Sequence, residues 1–553
     1  MTDYTLTVLD TAGIQNYIFG SNRLKENIGA SELVAQATNL WPFEALRQLG
    51  QTNIKGGHLE GNLNDLDDDL HIEDPKRQLI AEVVYAGGGN TVILFRDMET
   101  AHAFAYNLTR RVLMEAPGLE LVLTHQAFDW KESRLKKLIP DVITGKLQAK
   151  KQVRPAPLPM LGLGVTAACV STGLPAVDVH QEKEEADRRL ISGEIKAKLE
   201  YFGPADERLK RKFGIRQYPH DLEHLVRNPE RESYIAVVHA DGNEMGQRVR
   251  KIRQRKETAD NRVYIQRMRA FSRHIESATQ QALQAITQQI EQAQLYNPGG
   301  WFPFRPIIFG GDDVTFVCDG PMGIRLAVEY LKQFEKATGR SKELGTVIHA
   351  CAGIAIIKSH YPFARAYVLA EELCGNSKRQ VRAAGQDFSA LDWQFAISGI
   401  TGELDEIRER EYHVRLTGEQ GEHALGYLYQ RPLRLRPAQT GEQADKWLAW
   451  RSWGTFESIL RELTEADGDW RERRNKVKAL RGALRKGPKA VQAFLAAYDL
   501  KRKGLPAKDH LKQIAMTGWD RATAWDQKIN QCAYRCAYFD AIEAMDHIEW
   551  LAG

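Results

Sequence analysis

Apolar and polar positions follow the same order of elements in two separate stretches of the chain. In the first stretch, short apolar runs and amphipathic spacing predict strands at residues 5–9, 82–85, 91–95 and 119–125, and helices within 30–49 and 100–114. This β-α-β-β-α-β order is typical of a ferredoxin-like, or palm, domain. We therefore predict a first palm domain at residues 1–130.

The second stretch repeats this order further along the chain. It contains predicted strands at residues 234–239, 306–309, 314–318 and 346–357, with predicted helices at 266–294 and 323–338. A glycine-rich turn separates the two middle strands in both copies, at residues 87–90 and 310–313. The pattern indicates an internal duplication, with a second palm domain at residues 231–400.

The remaining segments have different patterns. Residues 131–230 contain a proline-containing stretch and a charged stretch, and we interpret them as a connector with a small subdomain. From residue 401 to 553 the strand signals fade, and helical spacing dominates at 446–463, 477–484 and 533–550. The predicted fold class is α+β, with two ferredoxin-like palm domains plus a helical C-terminal domain.

The composition is that of an ordinary soluble globular protein. Of 553 residues, 43% are hydrophobic and 27% are charged, and the formal net charge is +4. There is no run of about eighteen apolar residues and no signal-peptide pattern at the start, so we expect a cytoplasmic protein without membrane contact. Lys and Arg cluster at residues 247–256 and 471–503, a pattern typical of solvated helix faces and also of surfaces that bind phosphate-rich partners.

Three acids of the second copy occupy positions suited to phosphoryl transfer. Asp241 ends the predicted first strand, and Asp312 and Asp313 lie in the hairpin between the next two. These are adjacent central strands of a ferredoxin-like sheet, so the three carboxylates should converge. Hard oxygen ligands suit Mg²⁺ or Mn²⁺, and two such ions about 3.5–4 Å apart neutralise a triphosphate and activate a hydroxyl. The sequence therefore predicts a two-metal nucleotidyl-transfer site.

Glycines and one lysine extend this candidate site. Gly310 and Gly311 allow a tight turn and leave room for a triphosphate, and Gly242 opens the start of the next helix, whose amides favour phosphate. Lys378 follows the fourth strand on a helix, where it either reaches back to a β- or γ-phosphate or remains a solvated lysine. A G-G-D-D sequence is also a common hairpin turn. The acid at position 241, in the matching place, is what favours catalysis.

Several segments resemble a known family. The sequences YIAVVHADGNEMG, IIFGGDDVTF and HACAGIAIIKSHYPFARAYVLAEELCGNSK of the second copy resemble the large polymerase subunit of type III CRISPR effector complexes. More broadly, they resemble the nucleotide-cyclase palms, which include the GGDEF diguanylate cyclases. In the first copy, DTAGIQNYIFGSNRLKENIGASELV resembles the opening strand and helix of the same family. The resemblance covers roughly residues 1–400.

The resemblance implies an enzyme of antiviral defence that converts ATP into cyclic oligoadenylate second messengers. Asp241, Asp312 and Asp313 would hold two Mg²⁺ or Mn²⁺ ions, and two ATP molecules would bind at the interface between the palms. The first palm has Gly89-Asn90 in place of the acids, so it would hold the acceptor nucleotide without metal, with Ser31 near that nucleotide. Guide and target RNA would act through other subunits of the effector complex.

Two departures from the family concern further metal sites. Many members begin with an HD nuclease domain, whereas this sequence opens on the first palm. Its His220-Asp221 pair has no accompanying ligands, so we do not expect metal-dependent DNA cleavage. Many members also carry a four-cysteine zinc element in the connector, where this sequence has Cys169 alone. Cys532 and Cys536 lie four apart on a predicted helix without a second Cys or His pair, so zinc is not expected there either.

Two alternative functions stay open from the sequence. One is a stand-alone palm-type nucleotide cyclase of an antiviral system that uses no guide RNA. The other is a non-enzymatic scaffold that binds RNA or nucleotide through an inactive palm. Retention of all three acids argues against the scaffold, because clustered carboxylates repel one another unless a cation compensates them.

Overall fold

The computed structural model describes residues 3–87, 89–153, 164–181, 188–215, 217–228, 230, 233–340, 346–396, 402–417, 423–437, 450–464, 470, 474–500, 504–506, 511–512, 514–521 and 532–548. These residues form two palm-type sheets, a connector and a mixed C-terminal part. Within them, no helix combines the length and the apolar composition that crossing a bilayer requires.

The first palm is a four-stranded antiparallel sheet. Its strands are β1 (Asp3–Ala12), β2 (Ala81–Gly87), β3 (Asn90–Phe95) and β4 (Glu120–Asp129), in the spatial order β2-β3-β1-β4. Its helices are α1 (Ile14–Phe19), α2 (Leu24–Ala35), α3 (Trp41–Leu49) and α4 (Met98–Glu115). The predicted ferredoxin-like order of elements is confirmed here.

Helix α4 illustrates how the residue pattern determines packing on this sheet. The Asp97 carboxylate accepts a hydrogen bond from the Thr100 amide at 2.7 Å, which satisfies one of the donors that a helix start leaves free. The buried residues of the helix are spaced three or four apart: Ala101, Phe104, Leu108 and Val112. This spacing gives the helix one apolar face, which packs against the sheet.

The connector is built around one long helix. It contains α5 (Leu135–Val142), α6 (Gln148–Val153), β5 (Asp178–His180), β6 (Arg189–Ile191) and α7 (Gly193–Phe213). Helix α7 packs closely on α2, where a Cβ on Gly29 would lie 1.7 Å from the Lys198 carbonyl oxygen. Cys169 is buried with Ile191 and Ile195, so it contributes to packing in this region.

The second palm repeats the arrangement of the first. Its strands are β7 (Tyr234–Gly242), β8 (Phe304–Gly310), β9 (Asp313–Asp319) and β10 (Ala350–Lys358), in the order β10-β7-β9-β8. A fifth strand, β11 (Ala390–Ala396), pairs in parallel with β10. Its helices are α8 (Met245–Gln254), α9 (Asn261–Gln292), α10 (Gly323–Gly339) and α11 (Phe363–Ala383). The two sheets share one strand order, in agreement with the predicted repeat, and the internal duplication itself stays a prediction.

The C-terminal part combines helices with a small sheet, which the prediction of a helical C-terminal domain did not include. Its elements are α12 (Leu404–Tyr412), β12 (His413–Thr417), β13 (His423–Tyr427), β14 (Leu433–Arg434), α13 (Trp453–Thr464), α14 (Arg474–Arg485), α15 (Pro488–Ala497), β15 (Trp519–Arg521), β16 (Cys532–Cys536) and α16 (Phe539–Ala544). Four of these strands form a sheet in the order β12-β13-β16-β15, and β14 extends the second palm beside β11. Strands of two to five residues are too short to give a clear alternating pattern.

The predicted helix at 533–550 is wrong at its beginning, because residues 532–536 form strand β16. Residues four apart in a strand are separated by about 13 Å, so Cys532 and Cys536 lack the one-turn spacing that the predicted helix would give them. Residues 441–449, within which another predicted helix begins, lie outside the described residues. The predicted boundaries at 130, 230 and 400 stay predictions.

The first palm covers the open sheet face of the second. Phe19 of α1 stacks on Tyr367 of α11, with ring centroids 3.9 Å apart. The Ser31 hydroxyl of α2 donates to the Ile307 carbonyl of β8 at 2.6 Å. These contacts place α1 and α2 against β7, β8 and α11, on the face of the sheet that α9 and α10 leave open.

The second palm covers the first in the same way. Tyr264 and Ile265 of α9 pack against Leu6 and Val8 of β1. The completely buried Glu82 of β2 receives hydrogen bonds from two arginines of α9, which anchors the helix to the first sheet. We call the boundary between the two palms the seam. On one side of it lie α1, α2 and the first sheet, and on the other lie α8, α9 and the second sheet.

Gly353 determines how closely α11 approaches β10. A Cβ at this position would lie 2.0 Å from the Ala370 carbonyl oxygen and 2.3 Å from the Cys374 amide nitrogen. Because both are backbone atoms, Gly353→Ala is expected to push α11 away and lower the free energy of unfolding by about 1–3 kcal/mol. Chemical denaturation measures this loss. Gly375→Ala on the same helix meets no atom within 4 Å and is the matched control; equal stability of the two variants would contradict the close packing.

Candidate active site at the second palm

The structure brings the three predicted acids to the same end of the second sheet. Asp241 lies near the end of β7, and the Gly310–Asp313 pair closes the β8–β9 hairpin. Gly311 and Asp312 form its two-residue loop, in which Gly311 has φ 66°, a conformation that glycine adopts readily. Strand β9 is hydrogen-bonded to β7, so the loop lies beside the end of β7.

Gly242 allows the hairpin loop to approach β7. A Cβ at position 242 would lie 2.9 Å from Oδ2 of Asp312 and 3.0 Å from its Cβ. The Asp312 carboxyl is within hydrogen-bonding reach of Asp241. The predicted role of Gly242 in phosphate binding stays a prediction, but its lack of a side chain lets the acids converge.

Burial and crowding raise the pKa of two of these acids. Burial, together with the neighbouring Asp241 carboxylate, raises the pKa of Asp312 to about 7. Burial and the charges of Asp241 and Glu371 raise the pKa of Asp313 to about 7 as well. The Asp313 side chain is 43% exposed as a whole, but its Oδ1 atom is buried and has no hydrogen-bond partner among the described residues. Such a site stabilises added positive charge.

Lys378 contacts the acids directly. Its ammonium donates to Oδ2 of Asp241 and, at 3.0 Å, to the Gly242 carbonyl oxygen. Burial opposes the charge on Lys378, but Asp241 outweighs it and raises the pKa of the ammonium. Only 17% of the side chain is exposed, so the solvated-lysine alternative is wrong. The contact with a substrate phosphate stays a prediction.

Two further residues at this site escaped the sequence analysis. Glu371 of α11 accepts a hydrogen bond from Gln15 of the first palm at 2.8 Å and lies near Asp313. His239 lies two residues before Asp241, with Nδ1 3.5 Å from Asp313 Oδ1, and burial lowers its pKa. Positions 371 and 378 are seven apart and therefore share one face of α11, a signal that could have identified Glu371.

Ser31 lies at the seam, on the side of the second palm. Its hydroxyl proton is engaged by the Ile307 carbonyl, three residues before Gly310. The Ser31 hydroxyl thus contacts the strand that leads into the G-G-D-D turn of the second palm. Its contact with a nucleotide stays a prediction.

The first palm contains the same framework with different side chains. Asp10 pairs with Asn90 across β1 and β3, and Gly87 pairs with Asn90 across the hairpin, as Gly310 does with Asp313. Asn90 therefore occupies the place of Asp313. The residue three positions after Asp10 is Gly13, and the residue three positions after Asp241 is Glu244. Both have a left-handed backbone conformation, with φ 64° and φ 54° respectively.

The donor set fits divalent cations. Carboxylate oxygens are the ligands that Mg²⁺ and Mn²⁺ prefer, and Asp313 offers an oxygen without a hydrogen-bond partner among the described residues. The Lys378 ammonium donates a hydrogen bond to Asp241. Among the described residues, no group of three or more His, Cys, Asp or Glu side chains is arranged to hold a metal ion. A cation that binds Asp241 would displace the Lys378 ammonium.

The raised pKa values predict a pH dependence of stability without metal. For Asp312 and Asp313 the folded pKa of about 7 lies above the ordinary 3.8, so the folded protein binds more protons between these limits. The free energy of unfolding in EDTA should therefore fall as pH rises from about 5 to 8, by about 1–2 kcal/mol after allowance for solvent screening. Denaturant unfolding measures the slope.

The matched variant for this test is Asp312→Asn/Asp313→Asn, which removes both titrations at nearly constant shape. We expect its unfolding free energy to change less with pH than that of the unsubstituted chain. Identical pH profiles for the two proteins would show that the acids titrate at their ordinary pKa values.

Comparisons with known proteins agree with this framework. Residues 234–385 match the family model of the second palm domain of Cas10/Cmr2. No curated protein matches the chain. The solved apo Csm1–Csm4 cassette is similar with a TM-score of 0.50 and 12% identity, over 98% of this chain and 69% of that chain.

Two other solved structures are similar at lower scores. Csm1 of T. onnurineus has a TM-score of 0.48 and 12% identity, over 99% of this chain and 70% of that chain. A Csm1–Csm4 cassette in complex with cA4 has a TM-score of 0.49 and 13% identity, over 98% and 69%. At such identities structural likeness speaks to the fold alone. The family match at 234–385 contains all three acids and Lys378, and it confirms the predicted family resemblance in the second palm.

Proposed function

We propose, from the premise that the chain carries the second palm domain of the Cas10/Cmr2 family, that it is a nucleotidyltransferase. It makes cyclic oligoadenylate from ATP and serves as the large subunit of a type III CRISPR effector complex. The product and the complex come from the family relation of residues 234–385. The reaction site comes from the geometry of this chain.

One observation carries the proposal. Asp241, Asp312 and Asp313 converge at the end of adjacent strands, beside a buried lysine and facing the other palm across the seam. Surplus negative charge on rigid strands is costly unless cations or substrate compensate it. A purely structural hairpin has no need of such a cluster.

In the proposed reaction, a ribose hydroxyl of one nucleotide attacks the α-phosphorus of a second. The bond to pyrophosphate breaks, pyrophosphate leaves, and the hydroxyl proton passes to solvent. Divalent cations held by Asp241, Asp312 and Asp313 would neutralise the triphosphate and favour the ionised hydroxyl. Lys378 donates to phosphate oxygens once it leaves Asp241, and the absence of side chains at Gly310 and Gly311 leaves room for the phosphates.

RNA acts on this site through neighbouring subunits in the proposed complex. The basic helix α14 carries exposed charges, including Lys478, on a face that the palms do not cover. Basic surfaces of this kind suit RNA or an acidic protein surface. The activating signal would then reach the seam through the C-terminal part.

A non-enzymatic scaffold is the second candidate, and one observation favours it. The Lys378 ammonium already neutralises Asp241, so this carboxylate is compensated without a cation. A protein that only binds nucleotide or RNA would show the same arrangement. A stand-alone cyclase has no observation of its own in its favour.

The test uses the purified full chain, alone and assembled with its partner subunits and target RNA. Each sample receives ATP with Mg²⁺ or Mn²⁺, and mass spectrometry identifies the products. Cyclic oligoadenylate that requires the assembled complex supports the proposal, and product from the chain alone supports the stand-alone cyclase. No nucleotide product under any of these conditions would leave the scaffold as the function.

A further inference from the structure

The first palm holds a lysine at its first strand in the same way as the second palm. The Lys151 ammonium of α6 donates to Oδ2 of Asp10 at 2.7 Å and to the Thr11 carbonyl oxygen at 3.1 Å. In the second palm Lys378 donates to Oδ2 of Asp241 and to the carbonyl oxygen of the next residue. In each palm one ammonium thus contacts a carboxylate near the end of the first strand and the following carbonyl.

The topology makes Lys151 the counterpart of Lys378. Asp10 pairs with Asn90, which occupies the place of Asp313 beside the hairpin. Helix α6 belongs to the segment after the fourth strand of its palm, as α11 does in the second palm. The two lysines therefore contact acids at matching places of the two sheets, although little in the surrounding sequence is alike.

Both ion pairs face the seam. Asp10 shares the face of β1 with Leu6 and Val8, which pack against α9 of the second palm. Asp241 shares the face of β7 with Ile235 and Val237, which pack in the cluster that contains Phe19 of the first palm. Two nucleotides bound between the palms would each meet one acid–lysine pair.

The difference between the palms lies in the remaining charges. The second palm sets three carboxylates against Lys378, whereas the first sets Asp10 alone against Lys151, with Gly89 and Asn90 at the places of the other acids. The first palm is therefore locally neutral, and an incoming triphosphate meets no surplus negative charge there. Lys151 and Asp10 are each 23% exposed, so the pair is largely buried yet remains accessible to a ligand.

We propose that Lys151 binds the phosphates of a nucleoside triphosphate in the first palm without a divalent cation, and that Asp10 positions its ammonium. This rests on the proposed function, which places a second nucleotide at the seam. Lys151 supplies at the first palm the positive charge that metal would supply at the second. Asn90 adds a buried amide oxygen that has no hydrogen-bond partner among the described residues.

The test measures binding rather than turnover. The full-length Asp312→Ala/Asp313→Ala variant, which lacks the second-palm acids, is titrated with ATP in EDTA by calorimetry. We expect one ATP per chain to bind, and Lys151→Met in this background to weaken it by about tenfold or more. Lys151→Arg, which keeps the charge, should stay within about threefold. The control is Lys150→Met, because the Lys150 ammonium donates to the Leu123 carbonyl and not to an acid.

A second measurement does not depend on how the lysine variants fold. In the same background with Lys151 intact, ATP in EDTA should slow acetylation of Lys151 by acetic anhydride, with little effect on Lys150. Absence of EDTA-resistant binding, equal binding by Lys151→Met, or equal acetylation of Lys151 with and without ATP would each overturn the proposal. Failure of the proposed function would instead appear as a lack of product from the unsubstituted chain with Mg²⁺, which leaves this binding measurable.

Discussion

Asp312→Ala/Asp313→Ala is expected to reduce nucleotidyl transfer by about 10³-fold or more while the protein folds at least as stably as before. The two carboxylates are the part of the site that an incoming cation would neutralise. Without them, several kcal/mol of transition-state stabilisation is lost. Product formation from ATP with Mg²⁺, followed by mass spectrometry, measures the change in rate.

Stability should move in the opposite direction to activity. Asp312 and Asp313 crowd Asp241, and burial with this repulsion raises the pKa of both carboxyls to about 7. Their removal relieves the repulsion, so at pH 8 in EDTA the double variant should unfold at a higher denaturant concentration than the unsubstituted chain. In Mn²⁺ the order should reverse, because only the unsubstituted chain gains stability by binding the ion.

The control is Asp69→Ala/Asp141→Ala, which removes two exposed carboxylates outside the second palm. Its activity and stability should match those of the unsubstituted chain. Asp313→Asn is a finer variant, since it gives the second palm the residue that Asn90 supplies in the first. Full activity of Asp312→Ala/Asp313→Ala in the assembled complex would place the reaction elsewhere.

The candidate site was largely predictable because its parts lie in local sequence patterns. The strand before Asp241, the two strands around Asp312-Asp313 and the order of helices between them all follow from hydrophobic periodicity. Ferredoxin-like topology then makes β7 and β9 neighbours. The convergence of the acids follows from connectivity, without any long-range side-chain contact.

The contacts of the lysines were not predictable in the same way. Lys378 reaches Asp241 because Gly353 lets α11 approach the sheet closely, and a helical pattern does not reveal such a distance. Lys151 was missed altogether, because it lies 141 residues from Asp10 on a short connector helix that contains a second lysine, Lys150. The distance between a helix and a sheet depends on tertiary packing, and this distance decides which basic residue contacts an acid.

The C-terminal error has a different physical cause. Strands β13 and β16 are five residues each and pair in parallel across about a hundred positions of sequence. Their stability comes from the partner strand and the core beneath, and Leu425 and Ala533 are typical of helices as well as strands. Sequence periodicity over such short segments does not separate the two structures.

The second large effect is expected at Lys378. Lys378→Met should lower kcat/KM for ATP by about 10²-fold, mainly through a higher KM, because the charged donor to the triphosphate is lost. At the same time, Mn²⁺ should stabilise Lys378→Met at lower concentrations than the unsubstituted chain. The ammonium that now neutralises Asp241 would no longer compete with the ion. Steady-state kinetics and denaturant unfolding with varied Mn²⁺ measure the two effects.

These opposite changes separate two roles of the same side chain. If Lys378 only fixed Asp241 in place, Lys378→Arg and Lys378→Met would bind Mn²⁺ differently, yet neither would raise KM. If it also holds phosphate, Lys378→Arg should recover part of the KM because its charge remains. Arg379→Met is the control, since Arg379 is the next residue of α11 and is exposed. If Lys378→Met has an unchanged KM and binds Mn²⁺ more tightly, the lysine only neutralises Asp241 when no cation is bound. It would then have no role in substrate recognition.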